Sequence, residues 1–165
     1  IKMRSNFPII RMYTDESGHT RFAKMCLPLI EKTGLGSVGL FSSLFVNPNV
    51  FDNSGDLRLQ FAITPLPDET TGEVPKLAHT APREQLVITL GGCLEFKSCD
   101  VEVHKSQHIA IIKTGDVLLA EDLDGAGHVW RFLPDDSGHL HPWMRCYLHL
   151  GEEYDHLVSQ LVEVV

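Results

Sequence analysis

The chain has 165 residues, enough for one domain with a sizeable core, and its 43% hydrophobic and 22% charged residues are those of a globular protein. Fourteen Lys and Arg against 22 Asp and Glu leave a net charge of −8. With no basic run anywhere, that charge argues against a nucleic-acid partner, and no apolar stretch approaches the ~18 residues that a membrane span needs.

In chain order, the sequence reads as short extended runs separated by turn signals, the pattern of an all-β sandwich or barrel. FPIIRMYT is followed by the turn DESG, and HTRFAKMCLPLI resumes an extended pattern. GLGSVG at 34–39 fits G-x-G-x-x-G, but the LFSSLFVNPNVFD that follows has Asn-Pro and no helical period, so a plain loop is expected rather than a phosphate cradle. DLRLQFAIT alternates, with Leu57, Leu59, Phe61 and Ile63 on one face and Arg58, Gln60 and Ala62 on the other. The Pro- and Thr-rich segment 64–76, TPLPDETTGEVPK, reads as a surface loop. EQLVITLGGCLEFKS is a β-rich run with a Gly-Gly corner at 91–92. HIAIIKTGDVLLAED places two apolar runs around a turn at 114–116. HVWRFLP and PWMRCYLHLG read as two more strands joined by DDSGHLH, and only EEYDHLVSQLVEVV has helical potential.

Cys26, Cys93, Cys99 and Cys146 form no C-x-x-C pair and sit in apolar or strand-like runs. They read as free thiols of a reducing compartment, so a cytoplasmic location is expected. No secretory signal pattern is visible.

Two runs carry chemistry. In HTAPREQLVITLGG, residues 79–92, His79 stands two places before Ala81, Gln85 follows four places later, and Gly92 closes the run. GDVLLAEDLDGAGH, residues 115–128, opens on Gly115 and ends on His128. Together they resemble the two signature motifs of the cupin superfamily, His-x-His-x(3,4)-Glu-x(6)-Gly and Gly-x(5)-Pro-x-Gly-x(2)-His-x(3)-Asn. His79 takes the first His place, Ala81 the second and Gln85 the Glu place; the second run is two residues longer and lacks the Pro-x-Gly. The chain also looks like a subgroup reading H-x-A-P-R-x-Q and G-D-V-L-L-A-E-D-x-x-G-x-G-H. The resemblance covers about residues 8–150 and implies a single-domain double-stranded β-helix, or jelly-roll barrel, spanning 1–165.

Strand alternation puts Ala81, Arg83, Gln85, Val87 and Thr89 on one face, with His79 joining them if the strand starts early. His79, Gln85 and His128 then converge if the barrel brings their strands together. Two imidazoles and a neutral amide hold a divalent metal poorly, so no cofactor is required, with loosely bound iron or zinc on those three residues left as an option. Arg83 is the expected anion clamp, and Glu121 and Asp122 either orient His128 or cap a turn. Trp130, Trp143, Phe41 and Phe61, with Gln85, Thr89 and Glu121, complete the expected binding surface for a hydrophobic, aromatic or polyketide-like small molecule.

Non-oxidative acid–base chemistry follows as the expected function (isomerase, cyclase, dehydratase or decarboxylase), with His79 and His128 as acid and base. An iron-dependent dioxygenase and a non-catalytic metabolite-binding module are the alternatives. The edge-like FPIIRMYT strand suggests a homodimer exchanging that element.

Overall fold

The computed structural model describes residues 6–32, 36–39, 59–67, 78–99, 108–151 and 153–164. They form β1 (Asn6–Thr14), β2 (Thr20–Lys32), β3 (Gly36–Gly39), β4 (Leu59–Thr64), β5 (Gln85–Gly91) and β6 (Cys93–Ser98). After these come β7 (Ile109–Lys113), β8 (Val117–Glu121), β9 (His128–Phe132), β10 (Trp143–His149), one short helix α1 (Glu153–Val158) and β11 (Val162–Glu163). The protein is therefore mostly β. None of the described helices is long and apolar enough to cross a membrane.

The larger sheet runs β11-β2-β1-β8-β5-β10-β4, with β3 paired to the far end of β2, and the smaller runs β7-β6-β9. All pairings are antiparallel except β1 with β8. The chain passes from one sheet to the other at Gly92, between β5 and β6, so the Gly-Gly corner ends one strand and frees the next. Among the described residues neither sheet closes on itself.

The sheets face one another across a shared core. Met12, Phe22, Val87, Leu118 and Trp143 from the larger sheet pack with Leu94, Phe96 and Ile112 from the smaller. The larger sheet is also covered on its outer face, where Ile9, Leu27, Leu86, Leu119 and Leu148 pack with Leu150 and with Leu157 of α1. Burial on both faces explains why β8 reads as the unbroken apolar run Val117-Leu118-Leu119-Ala120 instead of alternating. Burying Leu157 alone contributes roughly 1.5–3 kcal/mol. A polar latch supplements it: Tyr154 Oη donates to Glu121 Oε2 at 2.8 Å, and Arg11 donates Nε–H to Glu121 Oε1 at 2.6 Å. Burial, and then the bond to Glu121, push the Tyr154 phenol up to about 12.

Four sequence expectations need revision here. β1 lies between β2 and β8, both of which hydrogen-bond to it, so FPIIRMYT is an interior strand and not an exposed edge. In β4 the alternation holds but its polarity is reversed: Phe61 is 70% and Ile63 68% exposed, while Gln60, Ala62 and Thr64 face inward. The last residues of GLGSVG form β3 against β2 rather than a loop. The C-terminal run supplies only six helical residues before returning to strand as β11. Most of segment 64–76 lies outside the described residues.

None of the described cysteines, Cys26, Cys93, Cys99 and Cys146, forms a disulfide. Burial pushes the Cys93 and Cys146 thiols up, away from the thiolate form that would react.

Candidate active site

A cavity of about 780 Å³ opens between the sheets. Its walls take the inward-facing positions of four strands of the larger sheet, Gln60, Ala62 and Thr64 (β4), Gln85 and Val87 (β5), Leu118 and Ala120 (β8), and Trp143, Arg145, Tyr147 and His149 (β10). The smaller sheet adds Phe96, His128 and Trp130, and the bend before β5 adds His79, Ala81, Pro82 and Arg83.

His79 and His128 meet because their backbones form an isolated antiparallel bridge. His79 N–H donates to His128 O at 3.1 Å, and His128 N–H donates to His79 O at 2.9 Å. Directly opposite residues in such a pair carry their side chains on the same face, and the two ring centroids stand 4.5 Å apart, tilted by 56°. Their surroundings differ sharply. His128 is 4% exposed, whereas His79 is exposed at the cavity mouth.

The glycines of DGAGH make this bridge possible. Gly127 has φ +71°, and a Cβ there would fall 2.6 Å from His79 O. Gly125 has φ +78°, and its Cβ would fall 2.2 Å from Gly18 O in the β1–β2 turn. Any side chain at either position would push the 122–128 loop off its neighbours.

Asp122 is the residue that fixes His128. It is fully buried, and its Oδ2 lies 2.7 Å from His128 Nδ1. The same carboxylate accepts Thr20 Oγ1–H on Oδ2 at 3.1 Å and Ala81 N–H on Oδ1 at 3.2 Å. With donors already on both oxygens, the carboxylate is the acceptor in this contact, so His128 donates through Nδ1 while its ring lines the cavity. Phe96 packs 5.4 Å from the His128 ring and limits its rotation.

His79, Arg83, Gln85, His128 and Trp130, all singled out from the sequence, come together on this cavity, and Trp143 joins them as its second indole wall. Arg83 sits on the rim and is exposed; Gln85 is 5% exposed. Three expected binding residues are elsewhere. Thr89 is 1% exposed behind Trp143, whose Nε1–H it accepts at 3.4 Å, so it positions the indole and does not meet a ligand. Phe61 points outward for the reason given above. Glu121 faces away because adjacent strand residues alternate: Ala120 lines the cavity, and Glu121 turns to Arg11 and Tyr154 on the outer face. Phe41 lies outside the described residues.

Residues 143–149 hold the largest omission. Trp143, Arg145, Tyr147 and His149 alternate with Met144, Cys146 and Leu148, a period-two signal that marks the first four as one polar–aromatic face. Arg145 lies with its Cζ 3.9 Å from the Trp143 ring centroid; its Nε–H donates to the Tyr147 hydroxyl and its Nη1–H to Thr64 Oγ1 at 2.8 Å.

The donor set does not fit a divalent metal. Ala81 brings no donor to this face, and Asp122, the acid beside His128, is spent on Nδ1, Thr20 and the Ala81 amide. Of His79, Gln85 and His128, the neutral Gln85 amide is a weak donor to a transition metal, which leaves two imidazoles where a catalytic site uses three good protein ligands. No group of three His, Cys, Asp or Glu converges on a metal-sized position among the described residues.

No family model, curated protein or solved structure matches this chain.

Proposed function

We propose that this protein is a cofactor-independent enzyme that performs acid–base chemistry on a hydrophobic, aromatic or polyketide-like small molecule, within the non-oxidative isomerase, cyclase, dehydratase or decarboxylase classes. The observation that carries this reading is the 2.7 Å bond from Asp122 to His128 Nδ1 in the wall of a cavity large enough for such a molecule. In this reading His128 Nε2 takes a proton from the substrate, and Asp122 stabilises the imidazolium that forms. His79, 4.5 Å away at the mouth, exchanges protons with the substrate's outer end and with water. Such a pair is worth roughly 10²–10⁴ in rate. The aromatic walls exclude water from the reacting end.

The reading includes a cupin-type jelly-roll architecture, supported by two facing β-sheets with the two signature-like runs converging on one cavity. It also includes a cytoplasmic location, supported by the free thiols. A homodimer completes it, with the contact moved from β1 to β4. Among the described residues β4 pairs only with β10, and its outer face carries exposed Phe61 and Ile63 beside Met144. Light scattering at micromolar concentration should return twice the 18.5 kDa chain mass; a monomer mass removes the dimer.

Incubating the protein with a panel of aromatic and polyketide-like ketones in D₂O tests the function. Products should carry solvent deuterium with no dioxygen consumed, and His128→Ala should slow their formation at least about tenfold while the protein stays folded. Dioxygen uptake in step with product would instead establish the dioxygenase.

A further inference from the structure

We infer that the ligand of this cavity is an aromatic carboxylic acid, its carboxylate paired with Arg145 and its ring laid along the Trp143–Phe96 wall toward His128. The inference deepens the reading of the cavity as a substrate site but does not depend on which reaction occurs there.

Charge is the first argument. In a chain of net charge −8, the described lining of this cavity contains Arg83, Arg145 and three His but not one Asp or Glu. The second argument is the contrast between Arg145 and other arginines. Arg11 pairs with Glu121, Arg21 with Asp15 and Arg131 with Glu95. Arg145 has only neutral partners among the described residues: the Tyr147 hydroxyl, Thr64 Oγ1, the Trp143 carbonyl at 3.3 Å, and the faces of two aromatic rings. These contacts hold the guanidinium plane in place through Nε and Nη1, and they leave Nη2 unspent. A half-buried cation fixed in this way, without a counter-charge, is preorganised for an anion. Gln85, 5% exposed, adds a neutral amide to the cavity wall.

Ring geometry supplies the aromatic part. Trp143 touches Arg145 on one side and lies 5.6 Å from Phe96 on the other, edge to face. Phe96 in turn lies 5.4 Å from the His128 ring, and Trp130 stands 5.3 Å from Trp143. Ring contacts therefore run from the cation to the imidazole through Trp143 and Phe96. A flat acid spans them, its anionic end fixed by the planar fork and its far end brought to Nε2.

Calorimetric titration of the full chain with 2-naphthoate and with its neutral isostere 2-naphthamide tests this. The acid should bind at least about tenfold tighter than the amide, as expected for a charge-assisted bond in a partly desolvated site. Arg145→Gln should erase that preference, while Arg83→Gln on the exposed rim should change it less than about threefold. Equal affinity of acid and amide for the unmodified protein, binding of neither, or an Arg83→Gln effect as large as that of Arg145→Gln would overturn the inference. The acid–amide comparison needs no variant, so misfolding of Arg145→Gln cannot obscure it. His128→Ala separates the two readings: it should keep the preference for acid over amide while losing turnover, and intact turnover with that preference intact would sink the acid–base mechanism alone.

Discussion

Replacing Asp122 with Asn should lower turnover by about 10²–10⁴-fold and leave the fold intact. The substitution is nearly isosteric. The new side chain would keep an oxygen for the Ala81 amide, but if that oxygen stays on Ala81, its NH₂ group faces His128 Nδ1. Two donors cannot share that contact, so His128 would shift its proton to Nε2, and the cavity would lose its base. A second loss adds to this, since a neutral amide does not offset the charge that develops on the ring. The stability cost should stay near 1–3 kcal/mol, because the buried network loses charge-assisted bonds but not its shape. Turnover measured beside a thermal melt separates the two effects. Unchanged turnover in a folded Asp122→Asn protein would mean that Asp122 is only a structural brace.

Much of this site is legible in the sequence. Strand alternation places Ala81, Arg83, Gln85, Val87 and Thr89 on one face, with His79 joining them if the strand starts early, and all of these but Thr89 line the cavity. β5 begins only at Gln85, and the bend at 82–84 before it brings Pro82 onto the cavity as well as Arg83. Glu121 and Asp122 are not distinguishable at that level, since either can orient a nearby His. What decides is which residue shares a face with Ala120's neighbours across the sheet, and that depends on the Gln85↔Ala120 register. Polarity misleads at β4, where an alternating strand is expected to turn its apolar side to the core. Here the inward side faces a polar cavity, so Gln60 and Thr64 point in and Phe61 points out. The large sheet also hides its register from sequence, because burial on both faces removes the alternation of β8. Arg145 is visible but carries no motif; its role emerges only from having neutral partners where Arg11, Arg21 and Arg131 have acids.

Gly127→Ala should be the most damaging small substitution in the loop that presents His128. A left-handed φ costs a non-glycine residue roughly 1–2 kcal/mol, and here the new methyl would also strike the His79 carbonyl at 2.6 Å. Relieving that contact breaks the two backbone bonds of the His79–His128 bridge, worth roughly 0.5–1.5 kcal/mol each. A total of about 2–5 kcal/mol should lower Tm by about 10 °C. Activity should fall further than stability, since His79 is held beside His128 by that bridge. Gly115→Ala is the control, because Gly115 also has a positive φ, +93°, but nothing lies within 4 Å of its Cβ position. It should show the backbone cost without the clash and without loss of activity. If Gly127→Ala melts no lower than Gly115→Ala and turns over normally, the bridge does not organise the site.

Metal dependence tests the acid–base mechanism most directly. Asp122 is committed to His128, Ala81 brings no donor, and the Gln85 amide is a weak one, so the proposed mechanism uses His79 and His128 without a metal. Turnover of the protein should be the same within experimental error before and after exhaustive chelation, with metal content confirmed as absent by elemental analysis. Activity that disappears on chelation and returns with iron or zinc would contradict the mechanism and make His79, Gln85 and His128 metal ligands instead.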